Sequence, residues 1–93
     1  MVNKINASHI LVNTEQDAKR VLYDLNHGES FEDIAKERSN CPSGKDGGNL
    51  GWFGKGQMVK EFEDACFNSK KGKILGPIKT QFGYHIIKIV DMK

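Results

Sequence analysis

The sequence predicts an α+β domain, a four-stranded antiparallel sheet covered by helices in the order β-α-α-loop-β-α-β-β. Three observations carry that prediction. Apolar residues alternate with a period of two near both ends of the chain. Between those ends, they recur in three stretches at helical spacing. The last two strands are separated by a turn so short that they must run antiparallel, and helices laid on an antiparallel sheet make this fold class. A length of 93 residues suits one core, so residues 1–93 are expected to form a single domain.

The first strand is expected over Ile5 to Val12, with Ala7, His9 and Leu11 on one face and Ser8, Ile10 and Val12 on the other. Thr14-Glu15-Gln16-Asp17 resembles a capping box with Thr14 as N-cap. Ala18, Val21, Leu22 and Leu25 follow at i, i+3, i+4, i+7 spacing, one apolar helix face, and Gly28 stands where a left-handed C-terminal glycine belongs. Ser30 caps a second, short helix that buries Phe31, Ile34 and Ala35. That helix ends by Asn40, because Pro42 disfavours α geometry in the residue before it.

Residues 41–56 hold six of the ten glycines and one of the two prolines. They read as an irregular loop with a short strand around Leu50 to Phe53. The segment is not a linker, since Leu50, Trp52 and Phe53 seek burial. Nor is it a phosphate loop, since Gln57 stands where the lysine would be needed. A third helix runs from about Val59 to Asn68, with Val59, Phe62, Ala65 and Cys66 on one face, and Lys71-Gly72-Lys73 terminates it. Pro77 opens a third strand, Ile78 to Gln81, at an edge or strand-start position. Phe82-Gly83 turns the chain into the last strand, Tyr84 to Val90, with His85, Ile87 and Ile89 facing one way and Tyr84, Ile86 and Val90 the other.

Composition narrows the function classes. The net charge of +2 is too weak to call for nucleic acid or a membrane surface. No apolar run approaches the roughly 20 residues that span a bilayer, and Met1 to Asn6 has no secretory apolar core. A soluble, cytoplasmic monomer is the expectation. Asn6-Ala7-Ser8 matches a glycosylation acceptor by chance, within a strand. The two cysteines, Cys41 and Cys66, are expected to stay reduced.

His9 and His85 sit mid-strand in the two most hydrophobic strands. If those strands pair antiparallel, the two imidazoles are cross-strand neighbours on one face. A buried histidine alone is more often structural than catalytic. Two in matching strands, beside a glycine-rich loop carrying Cys41, form a candidate site. Cys66, on an apolar helix face, is instead a small core residue. Leu50, Phe53, Met58 and Phe62 read on their own as core. Met58, unbranched and polarizable, also suits a surface that accepts varied partners.

Several blocks resemble the parvulin family of peptidyl-prolyl cis-trans isomerases, in family order and over almost the whole chain. They are Ala7-Ser8-His9-Ile10-Leu11-Val12, Ser39-Asn40-Cys41-Pro42-Ser43-Gly44-Lys45, Gly48-Asn49-Leu50-Gly51-Trp52-Phe53, Gly56-Gln57-Met58-Val59, Phe62-Glu63-Asp64-Ala65, Gly76-Pro77-Ile78 and Thr80 to Lys88. The nearest likeness is to small stand-alone bacterial parvulins. The resemblance implies a parvulin- and FKBP-like sheet and an isomerase that needs no cofactor and no metal. It implies that His9 and His85 are the paired active-site histidines, that Cys41 holds the thiol-or-carboxylate position, and that Thr80 joins the hydrogen bonds around the histidines. Leu50, Met58 and Phe62 would hold the proline ring, with Phe53 joining that wall. Phe82, where some relatives carry serine, would make the rim more apolar.

The expected substrates are proline-containing peptides and unfolded or flexible protein segments. Phospho-directed relatives carry basic clusters after the first strand. Here Asn13-Thr14-Glu15-Gln16-Asp17 is short and acidic, so a non-phosphorylated residue before proline is expected. Three rival readings use the same residues: a peptide-binding chaperone, a metal site built from His9, His85 and Cys41, and a thiol hydrolase using Cys41.

Overall fold

β1 (Lys4–Val12) pairs along its whole length with β4 (Gly83–Met92), and this antiparallel pair is the centre of the domain. The computed structural model describes residues 2–93. β2 (Asn49–Gly54) adds to the outer side of β1 and β3 (Ile74–Thr80) to the outer side of β4, giving an antiparallel sheet in the order β2-β1-β4-β3. Helices α1 (Glu15–Asn26) and α2 (Phe31–Arg38) cover one face and α3 (Lys60–Phe67) covers the other. The expected element order stands, with one addition: residues Pro42–Asp46 wind into a 3-10 turn.

Alternation in β1 and β4 divides the core into two clusters. Ile10, Val12 and Ile86 pack with Ala18 and Val21 of α1 and Phe31, Ile34 and Ala35 of α2. Ile5, Ala7, Ile87 and Ile89 pack with Phe53, Phe62 and Cys66 on the α3 side. Burying each of the larger side chains contributes about 1.5–3 kcal/mol. The helices start where their caps predict: Thr14 Oγ1 accepts from Asp17 N–H at 3.1 Å and Ser30 Oγ from Asp33 N–H at 3.3 Å. Lys88, the break in an otherwise apolar face, extends to Glu32 at 3.3 Å with its ammonium 6.0 Å from the centre of the Phe31 ring.

The structure departs from the sequence reading where ladders shift. β3 begins at Ile74, three residues before Pro77, and Pro77 lies at a bulge between the Leu75–Ile87 and Ile78–His85 pairs. An edge strand tolerates this, because the missing N–H faces no partner strand. Val90 is skipped between the Asn6–Asp91 and Ala7–Ile89 pairs and is 42% exposed, so it does not share the core face of Ile86. α3 ends at Phe67, capped by Asn68, before the Lys71-Gly72-Lys73 segment. The last turn is Gln81-Phe82, and Gly83 opens β4.

β2 stops pairing at Ser8, and the loop takes over its role. His9 N–H donates to Gly48 O at 2.9 Å, Leu11 N–H to Ser39 Oγ at 3.1 Å, and Asn40 N–H to Leu11 O at 2.8 Å. Gly48 is the tightest point of this seam. Its φ is +86°, and a Cβ there would lie 2.3 Å from His9 O. Gly48→Ala should therefore destabilise the fold by about 1–3 kcal/mol. Chemical denaturation compared with Gly56→Ala, whose Cβ meets nothing within 4 Å, separates this clash from the shared cost of a positive φ. Equal losses in the two variants would contradict it.

Candidate active site

His9 and Leu11 on β1 and His85 on β4 face the α3 side at the end of the sheet that β2 does not reach. His85 pairs with Leu11 and His9 with Ile87, so the two imidazoles are diagonal neighbours, not directly opposed. Their Nδ1 atoms are 2.9 Å apart and their ring planes differ by 18°. The Phe62 ring stands edge-on to both, with centroids 5.6 Å from His9 and 5.3 Å from His85.

The histidines belong to a chain of hydrogen bonds. Phe82 N–H donates to Thr80 Oγ1 at 3.2 Å, and Thr80 Oγ1 lies 2.7 Å from His85 Nε2. On the other side His9 Nε2 lies 3.2 Å from Ser43 Oγ, which donates to Cys41 Sγ at 3.3 Å. A hydroxyl has one hydrogen and accepts two bonds. One direction satisfies every member: Thr80 donates to His85 Nε2, His85 Nδ1–H donates to His9 Nδ1, and His9 Nε2–H donates to Ser43. The reverse direction fills both acceptor positions of Thr80 and leaves its buried hydroxyl hydrogen unpaired, at a cost of about 1–3 kcal/mol.

Both histidines are therefore neutral. Burial, and then the like charge His85 would carry, hold His9 down to about 4, and burial also lowers His85. Burial pushes the Cys66 thiol up to about 12, and with 0% exposure it is core, as its helix position implied.

In front of the rings lies an open cavity of about 510 Å³. Leu50, Met58, Val59 and Phe62 line one part of it; Asn40, Cys41 and Pro42 come from the loop, and Leu11 and Phe82 complete the apolar lining. Leu50 is the residue skipped between the Ala7–Gly51 and Ser8–Asn49 pairs, so a bulge places it there. Phe82 is 59% exposed on its turn.

One expected site residue stands elsewhere. Phe53 does not line the cavity: it pairs with Ile5 on the core face, is buried, and packs behind Phe62 with centroids 6.0 Å apart. Thr80 joins the hydrogen bonds around the histidines as expected, from a buried position behind His85. Ser43, Leu11, Asn40, Gln57 and Val59 were not singled out from sequence. Leu11 could have been found, since it shares the face of His9. Ser43 could not, because its place depends on the 3-10 turn. Among the described residues no group of three or more His, Cys, Asp or Glu side chains is placed to hold a metal ion. No helix there is long and apolar enough to cross a membrane.

The depressed histidines make stability depend on pH in a definite sense. Unfolded His9 gains a proton near 6.5, whereas the folded side chain resists until about 4. Stability from this site is complete above pH 6.5 and falls as pH drops from 6.5 to 4, by as much as about 3 kcal/mol. Ring-proton NMR should show His9 neutral down to pH 5, with denaturation midpoints falling over that window. Titration of His9 near 6.5 would contradict the assignment.

Known proteins share this sequence pattern and fold. Residues 1–93 match the PPIC-type PPIase domain. The chain is 55% identical over 89 residues to the foldase protein PrsA of Geobacillus kaustophilus, covering 95% of this chain and 32% of that protein. It thus spans about a third of the length of the curated relatives it matches. Among solved structures, the PrsA peptidylprolyl isomerase of Bacillus anthracis superposes with a TM-score of 0.96 at 44% identity, over 99% of this chain and 43% of that one. NmPin, the parvulin of Nitrosopumilus maritimus, superposes with a TM-score of 0.85 at 50% identity, over 96% of this chain and 97% of that one. The chain belongs to the PPIC-type peptidyl-prolyl isomerase, or parvulin, family.

Proposed function

We propose that this domain catalyses cis–trans rotation about peptide bonds preceding proline, in exposed or unfolded segments of other proteins, and so assists their folding. The observation that carries the reading is an apolar cavity of about 510 Å³ closing onto two neutral, linked histidines and Cys41.

Rotation faces a barrier of about 18–20 kcal/mol because the C–N bond has partial double-bond character. Before proline the two end states are close in energy but exchange slowly. A catalyst must bind the twisted amide more tightly than either planar form. Leu50, Met58 and Phe62 can hold the proline ring while the preceding carbonyl swings over Cys41 and the histidines. Apolar walls and uncharged rings disfavour the charge-separated planar amide, which lowers the cost of twisting it. No bond need be broken, so Cys41 serves as a polar neighbour of the carbonyl and not as a nucleophile.

The β1–α1 connection supports non-phosphorylated substrates. It consists of Asn13 and Thr14, and α1 opens with Glu15 and Asp17. Arg20 and Arg38 line a neighbouring cleft, but Asp17 shares it and Asp24 holds Arg38 at 2.6 Å. The same apolar cavity also fits a binding module in which isomerisation is incidental, and one comparison separates the two readings.

Met58→Ala should lower kcat/KM in a proline-peptide isomerisation assay about 10-fold or more, as for lost burial of one large side chain. Aggregation suppression should fall with it; suppression left intact would favour the binding module. Cys41→Asp should keep a substantial share of activity, and complete loss in a folded variant would argue for covalent attack. A peptide series varying the residue before proline, with and without phosphate, tests the substrate reading, and faster turnover of phosphorylated peptides would overturn it.

A further inference from the structure

Ser43 is the member of the hydrogen-bond chain that the family resemblance did not assign and that the cavity wall does not include. It sits inside the 3-10 turn, and its backbone is fixed to the same residue as that of His9. Gly48 N–H donates to Ser43 O at 2.8 Å, and Gly48 O accepts from His9 N–H at 2.9 Å. The turn is held from beneath as well, since a Cβ at Gly44 would lie 2.7 Å from Ala35 O. Ser43 Oγ is thus presented to His9 Nε2 by backbone that has little room to move.

The direction of the chain gives this hydroxyl a role. A backbone N–H can only donate, so Phe82 N–H sets the sense at one end. Thr80, His85 and His9 pass that sense along, and it arrives at Ser43 as an N–H. Ser43 then has its own hydrogen to give, and Cys41 Sγ is the atom that takes it. We propose that Ser43 is a positioning residue that couples Cys41 to the paired histidines, making position 41 the acceptor end of a one-way hydrogen-bond chain that starts at the Phe82 backbone. The consequence for turnover rests on the isomerase reading; the coupling itself does not. The proposal accounts in advance for a carboxylate working at position 41, since a carboxylate only accepts.

Two measurements on the folded chain test it. Nitrogen-15 NMR of the histidine rings, recorded without substrate, should find His9 protonated on Nε2 and His85 on Nδ1. The opposite pair of tautomers would overturn the proposal. Thr80→Val, which removes the link to the Phe82 donor, should mix the tautomers, whereas Ser43→Ala should leave them in place.

The second measurement is a double-mutant cycle on isomerisation. Ser43→Ala should lower kcat about tenfold with KM little changed, roughly the effect of one hydrogen bond. Ser43→Thr, which keeps the hydroxyl, should restore most of it. In a Cys41→Ala background the loss from Ser43→Ala should vanish. An equal loss with and without Cys41 would mark Ser43 as merely structural and overturn the coupling. If the wild-type chain shows no isomerisation at all, the isomerase reading fails, and the ring tautomers still decide the direction of the chain.

Discussion

The pairing of β1 with β4 is the constraint on which the rest of this domain depends. Because side chains alternate, a single register decides two things at once. It commits Ile10, Val12 and Ile86 to the α1 and α2 side, and it commits His9 and His85 to the α3 side. A slip of one residue would turn the imidazoles into an apolar core and the isoleucines towards the cavity. The cost of that exchange falls on both faces, so the position of the site is protected by the stability of the whole sheet.

Neutrality of the two rings follows from the same placement. A hydrogen bond between like nitrogens needs one donor and one acceptor, so at least one ring must keep its Nδ1 bare. Burial enforces this, and the hydroxyls of Thr80 and Ser43 fill the outward positions. The result is a polar surface without net charge beneath an apolar cavity, suited to a reaction whose barrier is a loss of resonance and not a transfer of protons.

Much of this was legible in the sequence, and what was not has a common cause. The strands and the capped helices follow from local periodicity, which needs no knowledge of distant residues, whereas the shared face of His9 and His85 was expected on the condition that their strands pair antiparallel, as they do. Leu50 was expected at the cavity and stands there, though by a bulge that periodicity does not reveal. Phe53 was misplaced because its pairing with Ile5 sets it in the α3-side core, behind Phe62 and away from the cavity. Pro77 was expected at an edge or a strand start, and it lies inside the edge strand β3, at a bulge that local periodicity does not reveal. Ser43 was hidden because its role depends on bonds from Gly48 and His9, which lie far from it in sequence or across a turn.

The seam between residues 39–48 and β1 has one more consequence. Where β2 ends, β1 would otherwise offer a row of unpaired backbone groups beside an apolar surface, the arrangement that invites a foreign chain to add as a strand and begin aggregation. Gly48, Asn40 and Ser39 occupy those groups. On the proposed reading, a domain that meets unstructured chains is thereby closed to extended pairing along this stretch of β1. It can engage a proline ring through side chains alone, and such contacts are readily undone.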